Sequence, residues 1–132
     1  YNPQNPTTHI RINADSLNLQ CTGCIIEATN GGTHLSFGPL ARNVLIHGLT
    51  FIGATESSVL FPENGARVEF EDCYWANNDG LGNNGAVADI NSTSTVRFYR
   101  CEISDKKTNQ SPRVTQSSMQ GGLTSSLTIR AN

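Results

Sequence analysis

Five carboxylates lie close together along two short stretches of the chain: Glu69, Glu71, Asp72, Glu102 and Asp105. Clustered carboxylates can hold a calcium ion or a sugar, and they can act as general acids and bases. Arginines recur at matching places, because Arg97 follows Glu69 and Arg100 follows Asp72 by the same 28 residues. We therefore expect an exposed ladder of ion pairs, with no catalytic residue, no metal and no cofactor. A calcium or sugar site is the alternative.

Two tyrosines flank these acids and suggest a different use of the surface. Tyr74 and Tyr99 can stack on sugar rings, while Glu71 and Glu102 can accept hydrogen bonds from sugar hydroxyls. These four residues are the candidate ligand-binding face for a polysaccharide. His47 is expected beside Glu71, where a surface hydrogen bond is favoured over a catalytic pair.

Four cysteines offer redox, metal or purely structural roles. Cys21 and Cys24 form a Cys-x-x-Cys motif, but a redox motif needs a helix start and a zinc site needs a second pair nearby. Strand positions favour small core residues or disulfides instead. Cys73 and Cys101 are expected on neighbouring coils, within the Cα separation of a disulfide. Cys21–Cys24 and Cys73–Cys101 are therefore the candidate disulfides.

An internal repeat supplies the elements that position all these residues. The repeat has apolar residues at its first, third, sixth and eighth positions. Its copies run from Leu19 to Ile26, from Val44 to Phe51, from Val68 to Trp75 and from Val96 to Ile103. They begin 25, 24 and 28 residues apart. A recurring period of this length is typical of a solenoid, in which each repeat stacks on the previous one.

Each copy is expected to contain two short strands separated by a bend. The alternation of apolar residues breaks once, between the third and sixth positions, and this break marks the bend. The residues predicted at the bend are Gly23, Gly48, Asp72 and Arg100. Glycine occurs there twice because it tolerates unusual backbone angles.

A third strand is predicted before each of the later copies. It begins at Leu35, Val59 and Val87, nine residues ahead of the respective copy. Three short strands per coil, in four to five coils, predict an all-β protein with a right-handed parallel β-helix. Residues at equivalent positions then stack in inward columns, and Cys21, Ile46, Phe70 and Phe98 form one of them.

The domain layout and composition limit the possible functions. We divide the chain into an extended arm at 1–9 and a single β-helix domain at 10–132, with a long polar excursion at about 106–122. The formal net charge is −2, and there is no basic stripe for nucleic acid and no apolar run for a membrane span. Asn91 and Asn109 begin triplets that accept N-linked glycans in secreted proteins.

Two short motifs carry a family resemblance. Trp75-Ala76-Asn77-Asn78, followed by Asn84-Gly85-Ala86-Val87, resembles a repeat of the Phe-x-x-Asn and Gly-Gly-Ala-Ile type. Such repeats characterise polymorphic outer-membrane-protein-like and related right-handed β-helices of the pectin-lyase-like superfamily. The resemblance extends over residues 15–105. It implies a secreted or surface protein with an adhesive, structural or carbohydrate-directed role. It transfers no catalytic residue, since the motifs of the family's lyases and hydrolases are not matched.

The sequence favours a noncatalytic structural or adhesive module, either extracellular or at the cell surface, over an enzyme. A short solenoid has two exposed ends, which predicts a homo-oligomer or filament formed by end-to-end stacking. The arm at 1–9 is expected to help cover such a junction. The alternative is a carbohydrate-active enzyme or polysaccharide-binding module that uses an outer strand face.

Overall fold

The computed structural model describes residues 9–28, 32–79, 86–90, 93–106, 114–116 and 123–130. Side chains are described in these ranges except at 105–106, 115–116 and 123–130. Most of the arm at 1–9, most of the excursion at 106–122 and both glycosylation candidates, Asn91 and Asn109, lie outside the described residues. The described residues form strands and no helix, so none of them belongs to a helix long and apolar enough to cross a bilayer.

The strands recur in sets that we number as coils. Coil 1 contains β1 (Ile10–Ile12), β2 (Asn18–Gln20) and β3 (Ile25–Glu27). Coil 2 contains β4 (Leu35–Phe37), β5 (Val44–His47) and β6 (Thr50–Ile52). Coil 3 contains β7 (Val59–Phe61), β8 (Arg67–Glu71) and β9 (Tyr74–Asn78). Coil 4 contains β10 (Ala88–Ile90) and the long β11 (Thr95–Lys106), and β12 (Val114–Gln116) and β13 (Leu123–Arg130) follow.

Every pairing among the described strands is parallel and joins one coil to the next. The first face has the order β1-β4-β7-β10-β12. The second face runs β2-β5-β8 and the third runs β3-β6-β9, and β11 joins the two because it continues around the bend. The chain therefore forms a parallel β-solenoid of about three turns, counted from β1 to β10, with β12 and β13 beyond. The predicted β-helix is confirmed, with slightly fewer turns than the four to five coils expected; its handedness stays a prediction.

The bends between the second and third faces lie at the predicted residues. The φ angles there are +79° at Gly23, +83° at Gly48, +53° at Asp72 and +52° at Arg100. Only Gly48 is also required by close approach, since a Cβ on it would lie 2.9 Å from Cα of Thr22 in coil 1. Asp72 and Arg100 adopt this left-handed conformation despite their side chains, which costs about 1–2 kcal/mol per residue.

The core consists of stacked columns of apolar side chains. Phe70 pairs with Ile46 on one side and with Phe98 on the other, as the repeat predicts. Ring centroids one coil apart are separated by 4.9 Å for Phe37 and Phe61, 5.0 Å for Phe51 and Trp75, and 5.3 Å for Phe70 and Phe98. The two rings of each pair are nearly parallel, and they stack at ordinary distance across successive strands.

Two parts of the predicted register are wrong. Leu19 pairs with Ile46, a place assigned to Cys21, because the bend of coil 1 contains two more residues than the bends of the later coils. The coil 1 residue that stacks on Val44 therefore lies near Leu17. The carbonyl of Leu17 accepts a hydrogen bond from the backbone N–H of Leu45. On the first face, Val59 pairs with Ala88 and not with Val87. The segment from the first-face strand to the second-face strand is one residue shorter in coil 4 (Ala88 to Val96) than in coil 3 (Val59 to Val68).

One polar contact spans three coils. Arg11 of coil 1 lies 2.6 Å from Glu63 of the turn after β7 in coil 3, so the guanidinium passes over coil 2. Gly38 permits this passage: a Cβ on it would lie 2.4 Å from Oδ1 of Asn13 and 2.7 Å from Nη2 of Arg11. Asn13 in turn accepts a hydrogen bond from the backbone N–H of Leu40 at 2.9 Å.

Candidate functional site

Five polar residues meet at the bend between the second and third faces. His47, Glu71 and Tyr99 are equivalent residues of coils 2, 3 and 4, because His47 pairs with Glu71 and Glu71 pairs with Tyr99. Asp72 and Arg100 follow at the bend itself. We call these five residues the charged corner. Their positions follow from the repeat, because parallel stacking places each outward residue of a coil beside its equivalents in the neighbouring coils.

Arg100 binds both carboxylates of the charged corner. Its Nε donates to Oδ1 of Asp72 at 2.9 Å, and its Nη2 donates to Oδ2 of Asp72 at 3.1 Å. Nη2 also donates to Oε1 of Glu71 at 2.5 Å. The hydrogen bonds from Arg100 lower the pKa of the Asp72 carboxyl, and those to Asp72 raise the pKa of Arg100. The predicted Asp72–Arg100 pair is present, whereas Glu69 and Arg97 are in register without forming an ion pair.

The charged corner also contains a set of metal-ligating groups. Nε2 of His47 lies 3.6 Å from Asp72 and Nδ1 lies 3.9 Å from Glu71, and ligand atoms of all three residues lie within 4.8 Å of one another. An imidazole and two carboxylates suit a divalent transition metal. Here, however, the carboxylate oxygens already bind the Arg100 guanidinium, so a metal ion would have to displace an internal cation. The arrangement is that of an ion-pair network.

The candidate sugar-binding residues are divided by the bend. Glu71 and Tyr99 pair on the second face, whereas Tyr74 and Glu102 pair on the third face. The Tyr99 ring is covered by Arg100, whose guanidinium carbon lies 4.5 Å from the ring centroid, which leaves less of the ring for a sugar. A role of these residues in polysaccharide binding stays a prediction.

A shallow hollow lies on the second face beside the charged corner. It has a volume of about 520 Å³ and is lined by residues including Leu45, Arg67, Glu69, Glu71 and Arg97. Its charges are mixed, since Arg67 precedes Glu69 by two residues on β8 and Arg97 pairs with Glu69 on β11. Of the candidate sugar-binding residues, only Glu71 lines it, so the hollow and the predicted sugar face overlap at a single side chain.

A buried pair of His34 and Ser58 has the contacts of a nucleophile and its base. Nδ1 of His34 lies 2.7 Å from Oγ of Ser58, and Nε2 lies 2.9 Å from the carbonyl oxygen of Ile52. However, His34 is 3% exposed and Ser58 is 0% exposed, and Nε1 of Trp75 donates to Oγ of Ser58 at 3.1 Å. No substrate can reach the hydroxyl in this conformation, so the contacts satisfy buried polar groups of the core.

The hydrogen bonds of this network define the protonation of His34. The carbonyl of Ile52 can only accept, so Nε2 carries the proton and Nδ1 accepts a hydrogen bond from Ser58. Burial lowers the pKa of His34, which keeps the ring neutral. This network was not predicted from the sequence. The signal was available, because His34 and Ser58 are 24 residues apart, the same separation as Val44 and Val68.

The cysteines separate into an edge pair and a buried pair. The sulfur atoms of Cys21 and Cys24 are at disulfide-bonding distance, with their Cα atoms 5.4 Å apart. Cys73 and Cys101 are buried free thiols, so the candidate Cys73–Cys101 disulfide is not formed in the structure. Each thiol donates to a backbone carbonyl of the preceding coil, Cys73 to Ile46 and Cys101 to Phe70. The hydrogen bond with Cys73, together with burial, raises the pKa of Cys101.

Comparisons with protein-family models, with curated proteins and with solved structures gave no significant match for this chain. The assignment of the fold as a parallel β-solenoid is therefore based on the observed strand order and register alone. Membership of the pectin-lyase-like superfamily stays a prediction from the two short motifs around Trp75 and Gly85.

Proposed function

We propose that this chain is a noncatalytic structural or adhesive module of the cell exterior that assembles end to end. The observation that supports the proposal is the exposure of inward apolar positions in coil 1. Ile10 is 56% exposed and Leu19 is 36% exposed, whereas their partners Leu35 and Ile46 in coil 2 are 1% and 0% exposed. Covering such side chains is favourable by about 25 cal/mol per Å² of apolar surface.

The backbone of coil 1 supports the same proposal. Within the described part of the chain, β1, β2 and β3 each pair with a strand of coil 2 and with no strand on the other side. An unpaired strand edge is a template for another strand. Because β13 likewise pairs on one side among the described strands, the two ends offer complementary parallel edges. Head-to-tail contacts of this kind do not close on themselves and lead to filaments.

A depression in the exposed end provides room for an incoming side chain. It has a volume of about 310 Å³ and is lined by residues including His9, Ile10, Ile26, Thr33 and His34. An apolar side chain from the last coil of another copy would continue the stack there. This would also place apolar surface over the buried His34 network.

Two further features support an extracellular setting. Cys21 and Cys24 are at disulfide-bonding distance, and disulfides persist in oxidising compartments. Asn91 and Asn109 begin N-glycosylation triplets, so the secreted form would be a glycoprotein where the host attaches glycans. The likeness to outer-membrane-protein-like repeats of the pectin-lyase-like superfamily points to the same surface role.

The assembly is tested by light scattering after size exclusion and by negative-stain imaging over a range of protein concentrations. The expected result is a mass that rises above the 14.2 kDa of one chain as concentration increases, with filaments in the images. Leu19→Asp places a charge in the proposed contact and should weaken association at least about tenfold, which corresponds to about 1.4 kcal/mol.

Leu40→Asp is the matched control. Leu40 is also an exposed leucine, but it lies on a lateral turn of coil 2, so its replacement should leave association unchanged. A wild-type protein that stays at 14.2 kDa at the highest concentration would contradict the proposal. So would equal effects of the two substitutions.

A further inference from the structure

A polar hollow lies on the outer surface where the first face turns into the second. Its volume is about 450 Å³, and residues of three coils line it, including Arg42, Asn43, Arg67, Thr93 and Thr95. We call it the arginine hollow. It adjoins the mixed-charge hollow beside the charged corner, since Asn43, Arg67 and Thr95 line both.

The charges of the arginine hollow are all of one sign. Arg42 and Arg67 are exposed, and no carboxylate lines the hollow. Within the described residues, neither arginine forms an ion pair or a side-chain hydrogen bond. Arg11 and Arg100 behave differently, because each binds a carboxylate of another coil. In a chain with a net charge of −2, two unpaired arginines that line one hollow attract an anion from outside.

The surrounding backbone holds these donors in place. The N–H of Arg67 donates to the carbonyl of Ala41 at 2.8 Å, and the N–H of Thr95 donates to the carbonyl of Ala66 at 2.9 Å. Both walls are therefore tied to neighbouring coils. Arg42 reaches over the next coil, where its Nη2 lies 3.6 Å from the position that a Cβ of Gly65 would take. Of the polar side chains that line the hollow, Asn43 is held by a hydrogen bond to Oδ1 of Asp15 at 3.3 Å, whereas Arg42 and Arg67 have no side-chain partner among the described residues.

We propose that the arginine hollow binds a sulfate or phosphate monoester carried by a sugar. A tetrahedral oxyanion presents three terminal oxygens, which can accept hydrogen bonds from two guanidinium groups and from the Thr93 and Thr95 hydroxyls. A planar carboxylate presents two oxygens and leaves some of these donors unused. The volume accommodates a single sugar unit, and its polar walls suit hydroxyl groups.

The test uses dilute protein, so that its outcome does not depend on end-to-end assembly. Isotope-labelled protein is titrated with glucose 6-sulfate and glucose 6-phosphate, and with glucuronate and glucose for comparison, while backbone amide signals are recorded. Both esters should shift the amide signals of Ala66, Arg67 and Thr95, and they should bind at least about tenfold more tightly than glucuronate or glucose. Whichever ester binds more tightly identifies the natural group, and equal binding assigns the site to both.

Substitutions distinguish a specific site from general electrostatic attraction. Arg42→Ala and Arg67→Ala should each weaken ester binding about tenfold, because each removes charge-assisted hydrogen bonds. Arg67→Lys keeps the charge but loses the fork of donors, and it should weaken binding by a smaller factor. Arg11→Ala is the control, since it removes the same charge from an exposed arginine outside the hollow. It should leave ester binding unchanged.

Several outcomes would overturn the proposal. These are an absence of ester binding, glucuronate binding as tight as that of the esters, amide shifts scattered away from the hollow, and equal losses in the Arg11 and Arg67 variants. Melting temperatures show whether each variant is folded. If an alanine variant unfolds, Arg67→Lys decides, because full retention of ester affinity in that variant would contradict the predicted use of the guanidinium fork.

Discussion

Coil 1 and coil 2 place similar apolar residues in the same inward columns, yet Ile10 and Leu19 of coil 1 are exposed whereas their partners in coil 2 are buried. Leu19 and Ile46 pair directly, and so do Ile10 and Leu35. The coil 2 members have a coil on each side, whereas those of coil 1 have one on a single side among the described residues. In a solenoid, burial is thus determined by the neighbouring coils more than by the residue type. The same comparison explains why coil 1 is the proposed contact surface.

The largest effect expected from this comparison comes from truncating paired members of one column. Ile46→Ala should lower the free energy of unfolding by about 2–5 kcal/mol, because it leaves a cavity between filled coils. Leu19→Ala should cost only about 1 kcal/mol, since part of that side chain is already in water. Urea unfolding of dilute protein measures both. Equal costs would mean that coil 1 is as well covered as coil 2.

The His34 network provides a second prediction, through pH. The folded-state pKa of His34 lies below the ordinary value of 6.5, so the unfolded chain binds more protons as pH falls. The stability contributed by neutral His34 is present above pH 6.5 and is lost as pH falls towards the folded-state pKa, by up to about 1.4 kcal/mol per pH unit.

His34→Gln removes this titration, and the measurement compares the pH slopes of the free energy of unfolding. The variant should have the shallower slope between pH 6.5 and the folded-state pKa, whatever its stability at neutral pH. Parallel slopes for the two proteins would show that another group is responsible. The result bears on the comparison of coils 1 and 2, because His34 lines the depression at the exposed end formed by coil 1.

Gly38→Ala tests the passage of Arg11 over coil 2. The new Cβ would displace the ends of the Asn13 and Arg11 side chains, which are flexible, so a loss of about 1 kcal/mol is expected. Arg11→Ala isolates the contribution of the Arg11–Glu63 contact and should cost less. Hydrogen exchange should show faster opening of β1 in both variants. Unchanged exchange would indicate that coil 1 is held by its strand pairing alone.

The smallest effect is expected at the charged corner. Asp72→Asn removes one acceptor of Arg100 at an exposed bend, and exposed ion pairs contribute little to stability. Because the folded-state pKa of Asp72 is lowered, its contribution is present above its ordinary pKa of 3.8 and is lost as pH falls. The difference between urea unfolding at low and at high salt should be slightly smaller in the variant than in the wild type, because the variant keeps only the Arg100–Glu71 pair at this bend. A loss as large as that of Ile46→Ala would refute this ranking.

The sequence predicted the parts of the fold that depend on spacing between equivalent residues. The positions of Phe70, Ile46 and Phe98, and the four bends, followed from a period of about two dozen residues because stacked strands must repeat their side chains. The pairing of His47 with Glu71 followed in the same way. Such features can be predicted once the residues of one coil are correctly aligned with those of the next.

Other features depended on local chain length and on three-dimensional contacts. The longer bend at Cys21–Cys24 shifted Leu19 by two positions, and nothing in the apolar pattern marks that insertion. Arg100 was expected to pair with Asp72, but its additional bond to Glu71 depends on the left-handed backbone at the bend. The arginine hollow likewise arises from turns whose shapes the repeat does not specify.

The Arg11–Glu63 contact has a consequence for how the molecule comes apart. Repeat proteins are commonly treated as linear chains of units whose energies depend only on adjacent units. This contact joins units that are not adjacent, so detachment of the first coil also removes an interaction of the third. Unravelling from that end should therefore proceed with a cooperative step larger than one repeat, even though the residues involved lie at the surface.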